Sequence, residues 1–228
     1  MPISESKKKY EVEFAKKRAT VYPNGYGLVR FDYQIRVVED AFLGPIHYFG
    51  LSDSVPAKLV LPPLERLCAG SQLDVGTAPF MNYKLISSDH YSGSMEAREL
   101  TQQSTTRMCV ALLELTPPAP SGAVLQYSWQ WGFPHLYLVE PGSADNSGLR
   151  CAVSIEQLSM EVEFAEGRFN STIRFKTEPI LTERNDDGNM ESRSFVGKKA
   201  DDLGCVRYSW VMQAREGNQY IITWQLKR

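Results

Sequence analysis

Few side chains in this sequence are placed to do chemistry. Histidine occurs at His47, His90 and His135 only, and of these His90 alone has hydroxyls and a carboxylate beside it, in Ser87-Ser88-Asp89-His90-Tyr91-Ser92. A serine nucleophile needs an imidazole to take its proton and a carboxylate to orient that imidazole. Such groups converge from separate segments, and neighbours on an extended chain point to opposite faces, so this run reads as a polar loop. Asn185-Asp186-Asp187-Gly188-Asn189 followed by Glu191 offers oxygen ligands around a glycine. It lacks the alternating order and distal glutamate of a calcium loop and reads as a solvated turn. Cys68, Cys109, Cys151 and Cys205 form no CxxC pair and have no histidine at zinc-module spacing, so buried thiols are expected rather than a metal site or a disulfide framework. HExxH, GxSxG and the phosphate-binding GxxxxGK[ST] are absent, and Gly25-Tyr26-Gly27 lacks the third glycine and following helix of a dinucleotide site. No metal and no cofactor are expected. A hydrolase working through dispersed carboxylates has no sequence signature and stays as an alternative.

The segment with the most recognition potential is aromatic. From Leu125 to Tyr137 the chain reads Leu-Gln-Tyr-Ser-Trp-Gln-Trp-Gly-Phe-Pro-His-Leu-Tyr. Drawn as one strand, it sets Trp129, Trp131, Phe133, His135 and Tyr137 on one face as candidate binding residues. Exposed, they would form a wall able to stack on a carbohydrate-like ligand or anchor a protein partner. The competing reading fills a sandwich core with Trp129 and Trp131 and lets Gly132 and Pro134 end the strand, and it carries the greater weight. Lys7, Lys8, Lys9, Lys16, Lys17 and Arg18 against Glu11 and Glu13 make a local basic patch. Its aromatic groups alternate with glutamates, which suits a solvated terminus better than a nucleic-acid site.

The elements that would hold these residues are strands. Tyr10, Val12 and Phe14 alternate with glutamates. After the Asn24-Gly25 hairpin signal, Val29, Phe31, Tyr33, Ile35 and Val37 alternate with polar residues. The same period returns at Leu125–Trp131, Met160–Phe164, Val206–Met212 and Tyr220–Leu226, separated by Gly/Pro/Asn-rich turns. Pro62-Pro63 before Leu64, Leu67 and Cys68 predicts one short helix. The expectation is an all-β, antiparallel β-sandwich or jelly-roll-like protein with at most one or two short helices. Residues 1–9 are read as a flexible basic N-terminus, 10–117 as one sandwich lobe and 118–228 as a second, with the proline-rich stretch 117–122 as linker or long turn. A single continuous sandwich over 10–228 is the alternative. Glu11-Val12-Glu13-Phe14-Ala15 recurs as Glu161-Val162-Glu163-Phe164-Ala165, which alternating strands produce without duplication.

Composition limits the function classes. The 228 residues are 43% hydrophobic and carry a formal charge of −2, so the chain can bury a core and offers no net positive field to nucleic acid or anionic membranes. No stretch reaches the roughly 18 uninterrupted apolar residues of a spanning helix, and the N-terminus shows no export signal, so a soluble, cytoplasmic protein is expected. The reading that results is a non-enzymatic recognition or assembly module that binds a protein partner or a second copy of itself. An accessory or sensor subunit of a bacterial multi-protein system fits that description, and carbohydrate binding on the aromatic wall is the alternative.

Overall fold

Each segment with alternating apolar residues forms a strand. The computed structural model describes residues 9–51, 80–85, 90–99, 107–165, 175–193, 197–200 and 205–227, and among these all regular structure is β. The helix expected after Pro62-Pro63 lies outside the described residues. Strand β1 (Tyr10–Val21) turns through Asn24-Gly25 into β2 (Gly27–Val37). Gly25 sits at φ 79°, and Asn24 Oδ1 accepts the Tyr26 N–H at 3.0 Å, the chemistry that makes Asn-Gly a hairpin signal.

A seven-stranded sheet forms the frame. Its order is β12 (Gly197–Ala200), β13 (Val206–Ala214), β9 (Ile155–Phe164), β1, β2, β7 (Val124–Phe133) and β4 (Phe80–Leu85). A second sheet orders β11 (Met190–Arg193), β10 (Phe175–Arg184), β14 (Gln219–Leu226) and β8 (Ala144–Arg150). A third orders β3 (Ile46–Leu51), β6 (Arg107–Thr116) and β5 (Ser92–Glu99). Pairing between these strands is antiparallel, except that β1 and β9 run parallel. Strand β7 follows the proline-rich turn yet sits between β2 and β4, so the large sheet draws strands from both sides of residues 117–122. The repeated pentapeptides lie on neighbouring strands, but Glu161 faces Arg18 and not Glu11, so the two copies are not aligned.

Register decides which face is buried. Lys17, Phe31, Trp129, Met160 and Trp210 line up across five strands of the large sheet, and all are buried. One residue along, the opposite face carries Arg18 with Glu161 at 2.7 Å, Arg30 with Asp32 at 2.8 Å, and Arg207 with Glu163. A period of two thus gives one apolar and one charged face. The apolar face is covered by the two smaller sheets. On β3, the His47 ring lies 4.8 Å from that of Tyr33 and 5.4 Å from that of Trp129. From the four-stranded sheet, Trp224 meets Phe164 edge-on at 5.6 Å, and Phe175 reaches Phe164 and Tyr208. The result is a β-sandwich in which one broad layer faces two narrower ones. Each large side chain buried in this way contributes about 1.5–3 kcal/mol of transfer free energy.

Candidate functional site

The candidate residues drawn from the aromatic segment do not form an exposed wall. Trp129, Trp131 and Phe133 are 2%, 5% and 0% exposed, because their face of β7 is the one the smaller sheets cover. The strand ends at Phe133. The chain then turns at Pro134 and His135, where His135 takes φ 57° and points to solvent. Tyr137 is buried again, its hydroxyl donating to Ser147 Oγ at 3.3 Å and its ring against Trp224. Four of the five are therefore core residues, and of the stacking platform proposed for a carbohydrate-like ligand only the His135 ring is exposed. Of the Ser87–Ser92 run, Ser87, Ser88 and Asp89 lie outside the described residues; His90 is exposed and Ser92 Oγ donates to the Thr116 carbonyl. The Asn185–Asn189 run is a turn closed by its own backbone and by Asn185 Oδ1, which accepts the Asn189 N–H at 2.8 Å. Among the described residues no group of three or more His, Cys, Asp or Glu is arranged to hold a metal ion.

A different concave surface is built where β2 crosses to β3. Leaving β2, the chain donates the Val38 and Glu39 N–H groups to the Lys9 carbonyl at 3.0 and 3.2 Å. The proline-rich turn braces it from the other side: Ser121 N–H donates to Asp40 Oδ1 at 2.9 Å, and Phe42 and Ala119 exchange both backbone hydrogen bonds at 2.9 Å. Stretch 117–122 is thus an anchored turn. Gly44, at φ 134°, continues the path against β6, and a Cβ there would stand 1.7 Å from the Leu113 carbonyl oxygen, so only glycine fits. Leu115 and Leu113 N–H donate to the carbonyls of Leu43 and Pro45 and fix the segment to β6.

This anchoring fixes the cleft. Phe42 turns inward and its ring meets Tyr10 at 5.4 Å, while Leu43 and Ile46 stay 61% and 48% exposed. Between them opens a cleft of about 780 Å³, with Tyr10, Phe42, Leu112 and Leu113 in its walls and Glu39, Asp40 and Glu114 with Lys9 at its polar positions. Next along β3, His47 holds the strand to the large sheet, its Nε2 lying 2.9 Å from the Tyr127 hydroxyl oxygen. Burial lowers the His47 pKa to about 4, so this imidazole is neutral near pH 7 and the inter-sheet contact needs no counter-charge. Among the described residues β3 pairs only with β6 and is an outer strand of its sheet, and its first residue, Ile46, lines the cleft. Sequence reasoning passed over this site. The available signal was the run Ala41-Phe42-Leu43-Gly44-Pro45-Ile46, in which large apolar residues occupy a turn that chain chemistry would otherwise fill with polar ones.

No protein-family model matches the chain. No curated protein matches it either. Among solved structures, one described as a putative protease from Parabacteroides distasonis superposes with a TM-score of 0.45 at 10% identity, over 95% of this chain and 40% of that one. The chain therefore spans less than half the length of that structure, and the likeness is too low to carry an argument.

Proposed function

We propose that this protein is a recognition and assembly module that holds a segment of a protein partner in the cleft beside β3. The observation that carries the reading is the pairing of a preformed apolar cleft with large exposed side chains, Leu43 and Ile46, next to a sheet edge. An isolated exposed leucine is ordinary, but grouped apolar residues around a concavity mark an interaction surface. A partner strand laid along the edge of β3 would gain backbone hydrogen bonds, and its alternate side chains would enter the cleft. Burying one leucine-sized anchor there supplies about 1.5–3 kcal/mol, the scale of an interface hot spot.

The test is affinity purification from cells that make the protein, comparing the natural sequence with Leu43→Asp and Ile46→Asp. Both positions are exposed, so stability should stay within about 0.5 kcal/mol by urea titration. The reading expects one species recovered in stoichiometric amount with the natural sequence and lost from both variants. Identical recovery from all three proteins would refute it.

A further inference from the structure

Tyr10 stands in the wall of the cleft beside β3. The same tyrosine borders a second cleft of about 330 Å³ at the ends of β1, β9 and β13, with Val12, Val153 and Ile155 in its walls and Glu11, Glu156 and Arg215 as its charged groups. The first cleft sets three carboxylates against one ammonium, and that ammonium, Lys9 Nζ, already lies 3.8 Å from Glu39. The second sets two carboxylates against one guanidinium. Among the described lining residues, carboxylates thus outnumber cations in both clefts, in a chain whose overall charge is only −2. Glu11, Glu114 and Glu156 are exposed, so a ligand's charged groups can reach them.

We infer that the occupant is an extended cationic segment of a partner protein. This rests on the reading of the β3 cleft as a protein-recognition site. Such a segment places an apolar side chain against Leu43 and Ile46, the exposed apolar residues of the cleft. Its Lys or Arg residues lie on either side of that anchor, near Glu114 and, beyond Tyr10, near Glu156. The apolar floor supplies affinity and the carboxylates supply orientation and discrimination. A second copy of this chain fits the surface poorly, since a two-fold contact here opposes each acidic rim with its own image.

The test is fluorescence anisotropy with labelled ten-residue peptides, which span about 33 Å when extended. One carries a central leucine flanked by alternating lysines, a second has glutamate for lysine, a third has serine for leucine, and a shorter, six-residue peptide keeps the central leucine and flanking lysines of the first. The inference expects saturable binding of the lysine–leucine peptides that weakens as salt rises, and loss of binding for the other two. Glu114→Lys should weaken it about threefold to tenfold, the range for reversing one exposed charge. Glu156→Lys should weaken the ten-residue peptide and spare the short one, while Asp187→Lys, in the β10–β11 turn outside both clefts, changes nothing. No saturable binding of the lysine peptides, equal binding of the glutamate peptide, or indifference to both charge reversals would each overturn it. If Leu43→Asp still abolishes recovery of the native partner in that event, the cleft stands and the cationic occupant falls. If Leu43→Asp leaves recovery unchanged, the recognition site itself falls.

Discussion

Lys17 places an amine on the buried face of β1, which an irregularity between Val12 and Phe14 shifts from even to odd positions, so that Ala15, Lys17, Ala19 and Val21 point inward. It is 5% exposed, its Nζ donates to the Gly148 carbonyl of β8, and it lies 5.7 Å from the centre of the Phe31 ring. These contacts only partly replace hydration, and burial lowers its pKa to about 7 from 10.5. In the unfolded chain the amine keeps its ordinary affinity for protons, so between about pH 7 and pH 10 the unfolded state binds more protons than the folded one. Stability must then rise with pH across that window, and the cost of the buried charge is fully present below it. Relative to Lys17→Met, the natural sequence should gain up to about 1.4 kcal/mol per pH unit in that window. Urea titrations of both proteins at pH 6, 7, 8 and 9 measure the difference, and parallel profiles would show that Lys17 is not buried as a charge. The stripe that fills with Phe31, Trp129, Met160 and Trp210 was legible from period-two alternation. Lys17 was not, because in sequence it is indistinguishable from Lys16, which points the other way to Glu161 at 2.8 Å.

At the scale of elements, the feature least visible in sequence is the parallel pairing of β1 with β9. Hairpin signals identify antiparallel neighbours because the turn is local, whereas a parallel pair joins segments far apart in the chain and has no turn to announce it. Charge supports the register: Glu161 sits between Lys16 at 2.8 Å and Arg18 at 2.7 Å and is itself 7% exposed. Burial raises its pKa, but hydrogen bonds and attraction from the two cations outweigh that, so its carboxyl titrates below the ordinary range. A carboxylate depressed in the folded state contributes stability above its unfolded pKa and loses it as pH falls through the folded one. Glu161→Gln should therefore cost on the order of 1–3 kcal/mol at pH 7, and the difference from the natural sequence should shrink as pH drops below about 4. Chemical denaturation at pH 7 and pH 3.5 reads this, and a pH-independent difference would mean that packing, not charge, ties β9 to β1. The strands themselves were legible wherever one face is buried. The aromatic run of β7 was ambiguous because alternation states that Tyr127, Trp129 and Trp131 share a face, but not whether that face meets water or a second sheet.

Across the whole molecule, one broad sheet turns a charged face to solvent and an apolar face to two smaller sheets, and the proposed recognition surface lies where the chain passes from β2 in the first layer to β3 in the third. Three parts distant in sequence meet there: the start of β1 through Tyr10, the crossing segment through Phe42 and Leu43, and β6 through Leu113, all braced by the 117–122 turn. That convergence explains why the all-β sandwich could be read from sequence and the site could not. Alternation and turn chemistry are local, but a cleft depends on which segments become neighbours. Among the described residues no helix is long and apolar enough to cross a membrane. In the proposed reading the surface around Leu43 contacts a partner and the charged face of the large sheet does not. It is tested most directly by placing a photo-reactive benzoylphenylalanine at Leu43 and, in a second protein, at Val211, which is 50% exposed on that charged face. After irradiation in cells that make the protein, the account predicts one discrete adduct from position 43 and none of that species from position 211. No adduct at 43, or the same species from both positions, would contradict it.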